Sequence, residues 1–138
     1  VFSLTADPKK PFNQPIRKIF VPYVDFSPLH NALANLKVTI DALEGKSLVS
    51  LTSKGTLNDK LMHAEQVLTF ASGLPRREWY RHQIYAPGFY TGYGVKTLPG
   101  VREAIEQENW EECQSQVTIL ATTLQNFDAH LQSILVLN

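Results

Sequence analysis

Residues 110–136, WEECQSQVTILATTLQNFDAHLQSILV, decide the fold. Trp110, Cys113, Val117, Leu120, Leu124, Phe127, Leu131 and Ile134 follow one another at spacings of three and four without a break. That period puts all eight on one face of an α-helix and sustains the seam for about four heptads. The opposite face is polar yet almost uncharged: from Cys113 to Asn138 the only formal charge at neutral pH is Asp128. A helix face meant for water normally carries more charge, so this face is a candidate for cover by another domain or subunit. Cys113 lies on the apolar stripe, which favours a small core residue over a reactive thiol.

Upstream, the same period recurs twice. Ser27 is a suitable N-cap and Pro28 suits a first helical position. Leu29, Leu33, Leu36, Ile40 and Leu43 then form a stripe, and Gly45 is a stop. Thr56, with Asp59 three residues on, opens a second stripe of Leu57, Leu61, Ala64, Leu68 and Ala71, closed by Gly73 and Pro75. Pro99 and Gly100 start a short helix through Ala104 and Ile105. Helices are therefore expected near 28–44, 57–72, 99–108 and 110–136, with no substantial sheet. The fold class is all-α: a four-helix bundle with a long, ordered loop between the second and third helices. In that loop Trp79, Tyr80, Tyr85, Phe89, Tyr90 and Tyr93 alternate with Pro87, Gly88, Gly92 and Gly94. Long ordered loops in small domains are uncommon and often functional. Burial of Trp79, Tyr80, Ile84 and Tyr85 against the bundle is expected to fix its base, with the tip, Gly88 to Gly94, pointing away. Pro8, Pro11, Pro15 and Pro22 make residues 1–26 a linker or arm, leaving 27–138 as the helical domain.

The chain of 138 residues is 43% hydrophobic and 19% charged, with thirteen basic and thirteen acidic side chains. Balanced charge gives no field to attract nucleic acid or anionic lipid. Apolar runs fall well short of the roughly 20 residues of a membrane span, so no direct membrane contact is expected. One cysteine allows no internal disulfide. An opening Val1 without signal-peptide architecture is expected of a piece of a longer chain.

A self-sufficient active site is not evident. His30, His63, His82 and His130 stand alone, without a His-Glu-x-x-His pair, whereas zinc hydrolysis needs three or four converging ligands. Surface or loop roles suit three of them; for His82 a structural hydrogen bond to backbone is favoured over catalysis. No Gly-x-Ser-x-Gly elbow occurs, and Gly92-x-Gly94 is not a dinucleotide fingerprint. Glu103, Glu106, Glu108, Glu111 and Glu112, at helical spacing, read as a solvated face. Neither catalytic residues nor metal ligands are assigned to this chain.

Two stretches carry a family resemblance. One is Leu57-Asn58-Asp59-Lys60-Leu61-Met62, leading to Gly73-Leu74-Pro75. The other is Trp79-Tyr80-Arg81-His82-Gln83-Ile84-Tyr85-Ala86-Pro87, followed by Leu98-Pro99-Gly100. They resemble the C-terminal helical dimerisation domain of the transferrin-receptor and glutamate-carboxypeptidase family, over about Val24 to Leu137. A fungal glutamate carboxypeptidase-like or vacuolar-sorting-type branch is suggested, and the chain has no Arg-Gly-Asp associated with transferrin binding.

The resemblance implies a homodimerisation domain within a membrane-anchored protein, on the lumenal or extracellular side. It also implies a peptidase domain elsewhere in the same chain, holding zinc. The aromatic loop would reach over that domain's substrate pocket, where glutamate carboxypeptidases place a Lys-Tyr pair on the substrate carboxylates. Here the Tyr position falls on Tyr93 and the Lys position on Gly92, with Lys96 nearby but off register. The full-length protein would be a zinc metallocarboxypeptidase or aminopeptidase; the alternatives are an inactive receptor or sorting protein of the family and, outside it, a freestanding helical adaptor.

Overall fold

In the computed structural model, residues 20–46, 54–90, 92 and 94–137 are described. Helix α1 spans Ser27–Glu44, α2 Lys54–His63, α3 Pro99–Glu106 and α4 Trp110–Leu135. Between α2 and α3 lie a 3-10 turn, Glu65–Leu68, and two short antiparallel strands, β1 (Tyr85–Pro87) and β2 (Val95–Thr97). The all-α, four-helix reading holds, and the strands belong to the loop.

Helix α4 is the axis of the core. Cys113, Val117, Leu120, Leu124, Leu131 and Ile134 are buried, with Trp110 and Phe127 partly so. Asn109 caps it: the Glu112 amide donates to Asn109 Oδ1 at 3.2 Å, which satisfies one of the first-turn amides. Helix α1 packs alongside in parallel. At one end the Asp25 amide donates to Gln114 Oε1 (2.8 Å), and at the other Lys46 Nζ donates to the Leu135 carbonyl (2.6 Å). Both pairs are separated by 89 residues, so the same offset sets Ala32 level with Ala121 and Thr39 level with Asp128. All four are buried. Asp128, the lone formal charge of α4 beyond its first turn, thus lies on the packed side.

Several local expectations are corrected. Ser27 does not cap α1; it is the first helical residue, and its amide donates to Asp25 Oδ1 at 2.9 Å. Leu33 remains 47% exposed and Ile40 38%, while Ala32 and Thr39 are buried, because small residues let α1 lie close to α4. Helix α2 begins at Lys54, so Thr56 is internal, and it ends at His63 instead of continuing to residue 72. The period there is genuine, but backbone pairing wins: the Phe70 amide donates to the Arg81 carbonyl (2.9 Å) and the Gln83 amide to the Leu68 carbonyl (3.0 Å). A helix through 72 would forfeit those cross-chain bonds, and neither Leu61 nor Met62 is buried to reward it. Helix α3 ends at Glu106, two residues short of the expected limit. Of the proposed N-terminal arm, residues 1–19 lie outside the described residues, as do 47–53 of the connection after α1. Residues 20–26 precede α1 without regular structure, with Phe20, Val21 and Tyr23 exposed.

Candidate functional site

The loop is built in two stages, a tightly wound base and a hairpin. In the base, Gly73 adopts φ +69°, and its amide donates to Phe70 while Leu74 donates to Tyr80 and Tyr80 to Arg77. A side chain at 73 would run into the Glu78 backbone, its Cβ 2.2 Å from the carbonyl oxygen, so only glycine fits this close approach. The turn sets Arg76 and Arg77 side by side. Arg76 forms a two-armed pair with Glu112 on the first turn of α4, both arms at 2.8 Å; such bidentate pairing fixes direction as well as distance.

Arg77 turns inward. Its Nη2 lies 2.6 Å from Glu103 Oε2, with the two side chains only 8% and 3% exposed, and its Nη1 donates to the Pro87 carbonyl. Glu103 Oε1 accepts the Phe89 amide at 2.8 Å, and the Arg77 guanidinium lies 5.6 Å from the Phe89 ring centre. Glu103 is therefore no part of a solvated face. A carboxylate this deep is tolerable only with its charge paired and its oxygens occupied, and here both oxygens have a partner.

The hairpin rises from this platform. Tyr85 pairs with Thr97, Ala86 with Lys96 and Pro87 with Val95. The Gly88 amide donates to the Gly94 carbonyl (2.9 Å) and closes the tip. Lys96 is buried and forms an ion pair with Glu106, one turn beyond Glu103 on α3. That hydrogen bond holds the Glu106 carboxyl below its usual range, and it commits the Lys96 ammonium to α3. The off-register lysine consequently offers no cation to the tip.

Gly92 is exposed at φ +60°, with nothing within 4 Å of where a Cβ would stand. Tyr93 lies outside the described residues. Of the anchors expected to bury, Ile84 and Tyr80 are partly buried, whereas Trp79 is 78% exposed and Tyr85 42%. The two fail for one reason: polar pairing, not aromatic burial, holds the base. The Tyr85 hydroxyl donates to Glu65, and its ring lies 4.1 Å from that of His82. His82 Nδ1 accepts the Ile84 and Tyr85 amides, each at 3.3 Å, the backbone role favoured for it.

His63 Nδ1 is engaged with the Asp59 carbonyl (2.6 Å) and His130 Nε2 with the Lys60 carbonyl (2.9 Å). Among the described residues no group of three or more His, Cys, Asp or Glu side chains is placed to hold a metal, and no helix is long and apolar enough to cross a membrane. Cys113 is fully buried, and burial pushes its thiol pKa up.

Beyond the acidic first turn of α4 one strip stays outside the core: Ser115, Thr118, Thr122, Gln125, Ala129 and Gln132, followed by the cap residue Val136, all exposed and none charged. The Ser115, Thr118 and Thr122 hydroxyls donate to carbonyls one turn back on the same helix. Their donors are satisfied without solvent, which lowers the cost of removing this strip from water.

Comparison with known proteins shows what the chain is similar to. The chain is 32% identical over 122 residues to a probable glutamate carboxypeptidase, LAMP1, of Arabidopsis thaliana, covering 82% of this chain and 18% of that protein. It is 28% identical over 123 residues to the aminopeptidase NAALADL1 of Mus musculus, covering 78% of this chain and 16% of that one. A segment of 37 residues is 57% identical to a probable glutamate carboxypeptidase of Arthroderma benhamiae, covering 27% of this chain and 5% of that protein. The chain thus spans less than a fifth of the length of each of these relatives. Residues 24–132 match the transferrin receptor-like dimerisation domain, and the chain belongs to that family.

Proposed function

We propose that this domain joins two copies of a glutamate carboxypeptidase-like, zinc-peptidase-family protein through α4, with residues 27–138 as the helical unit and residues 1–26 leading in from preceding domains. The observation that carries the reading is the uncharged outer strip of α4. Interface cores are depleted in charge, and burying Asp128 on the inner side leaves this strip with none. A second copy of the same strip would meet small and amide side chains, which allow close helix approach. The test is sedimentation or light scattering of the chain and of Gln125→Glu across concentration. A dimer that the glutamate weakens at least tenfold, roughly 1.4 kcal/mol, is expected; a chain monomeric throughout, indifferent to the substitution, refutes it.

The same reading gives the hairpin tip a place at the substrate pocket of a peptidase domain, with Tyr93 donating to a substrate carboxylate. Zinc belongs to that domain, which would lie on the lumenal or extracellular side of a membrane. The exposed Gly92 supplies no ammonium and Lys96 is held by Glu106, which supports acceptance of neutral C-terminal residues alongside glutamate. Kinetics of the full-length protein on peptides ending in Glu, Leu or Ala decide it. A strong Glu preference undiminished by Tyr93→Phe refutes the role of the loop; no hydrolysis of any peptide favours the inactive receptor or sorting alternative.

A further inference from the structure

The hairpin is fastened to α3 on both sides. Arg77 and Glu103 hold the β1 side, through the Pro87 carbonyl and the Phe89 amide, and Glu106 holds the β2 side through Lys96. The two fastenings differ in burial. The Lys96–Glu106 pair reaches the surface, where Glu106 is 44% exposed, whereas the Arg77–Glu103 pair is enclosed. Pro87 and Phe89 flank Gly88, the residue whose amide closes the tip onto Gly94. The enclosed pair therefore grips the chain on both sides of the point where the tip begins.

We propose that Glu103 is the positioning residue for the start of the tip, Gly88 to Tyr90, holding that stretch of backbone in place before any ligand arrives. The proposal rests on the reading of this loop as a substrate-contacting element only for its purpose, not for its geometry. The chemistry of the position is demanding. Two donors, the Arg77 guanidinium and the Phe89 amide, converge on it, so both oxygens of the side chain must accept. A carboxylate accepts at both; a glutamine side chain has one acceptor and one donor group. Either orientation of an amide sets N–H against N–H, at Arg77 or at Phe89. Aspartate keeps both acceptors but withdraws them by one methylene. The requirement is for glutamate specifically, and a general need for a polar residue on α3 would not produce it. Preorganised contact groups lose less freedom when a ligand binds, which is what a tip held in advance provides.

Amide hydrogen exchange on the whole chain, without substrate, reads the proposal directly. In Glu103→Gln, the hydrogen-bonded amides of Gly88 and Phe89 are expected to exchange at least tenfold faster, while those of Leu120 and Leu124 in α4 keep their rates. Glu106→Gln, acting at the other fastening, should leave Phe89 protected. Unchanged exchange in the tip, or acceleration shared equally by α4, overturns the proposal, since the latter is what a merely stabilising pair would give. Should Glu103→Gln fail to fold, Arg77→Lys keeps the positive charge and gives up the planar fork; the same local acceleration is expected, and its absence is equally fatal. No substrate enters the measurement, so the latch is judged apart from the substrate role of the loop, which the Tyr93→Phe kinetics decide.

Discussion

Gly73 and Gly92 make a matched pair of perturbations. Both have positive φ, +69° and +60°, so alanine at either meets the left-handed penalty of roughly 1 kcal/mol. Only at Gly73 does the new methyl also collide, with the oxygen, carbon and Cα of Glu78 at 2.2, 2.6 and 2.7 Å. Those are backbone atoms in a turn closed by the Gly73, Leu74 and Tyr80 amides, so no side-chain rotation relieves the contact. Overpacking of this kind costs about 1–3 kcal/mol. Gly73→Ala is thus expected to destabilise by about 2–4 kcal/mol, and Gly92→Ala, which opens into free space, by about 1 kcal/mol. Urea unfolding followed by helical circular dichroism measures both. Equal losses at the two positions, or a loss at Gly73 below that at Gly92, would refute the assignment of the 70–80 turn as a close backbone approach. The turn also aims Arg77, so Gly73→Ala should additionally loosen Phe89.

Three further outcomes are expected. Leu120→Ala, at a position 2% exposed on the core side of α4, should cost about 2–5 kcal/mol in the same unfolding assay, and a loss under 1 kcal/mol would contradict its burial. Cys113 should react with a thiol reagent at least about a hundredfold more slowly in the folded chain than in urea, since burial both shields the thiol and raises its pKa; equal rates would place it at the surface. Lys96 depresses the Glu106 pKa in the folded state, so its contribution is complete above the ordinary glutamate value of ~4.3 and is lost as pH falls through the lower folded value. The stability gap between the wild-type chain and Glu106→Gln should therefore be flat from neutral pH to about pH 5 and close below it. A gap that closes on raising the pH instead would reverse the sign.

The parts of the fold legible in the sequence are those made by local periodicity. The seam from Trp110 to Ile134 has a single solution at helical period, and the observed Trp110–Leu135 helix differs from the expected one by a residue. The loop, too, was marked by its glycines and aromatics. What local pattern could not show was set by partners distant in the chain. Helix α2 stops because residues 68–70 meet residues 81–83, and nothing near Ala64 announces it. Glu103 shares its spacing with solvated neighbours, and only Arg77, 26 residues earlier, makes it a buried ion. One cue lay within reach: Glu103 stands between Val101 and Ala104, both buried, and a charge inside an apolar turn invites a search for its counterion. Trp79 misled in the opposite sense, since its size suggested an anchor where backbone and ion pairs hold the base.

The parallel run of α1 beside α4 has a consequence for how the chain reaches its native state. Two helices that run parallel cannot be joined by a short turn, and here the contacts at both ends of the seam lie 89 residues apart. Closing so long a loop costs entropy that neighbouring antiparallel helices avoid, although that cost grows only slowly with length. Helical bundles fold fast when their contacts are local; the principal seam of this one is not. Assembly is expected to proceed from the α3–α4 corner, whose contacts are near in sequence, with α1 docking afterwards. Its kinetics should accordingly resemble those of a mixed α/β domain more than those of an up-and-down bundle, with substitutions at Ala32 acting chiefly on unfolding and those at Val101 on folding.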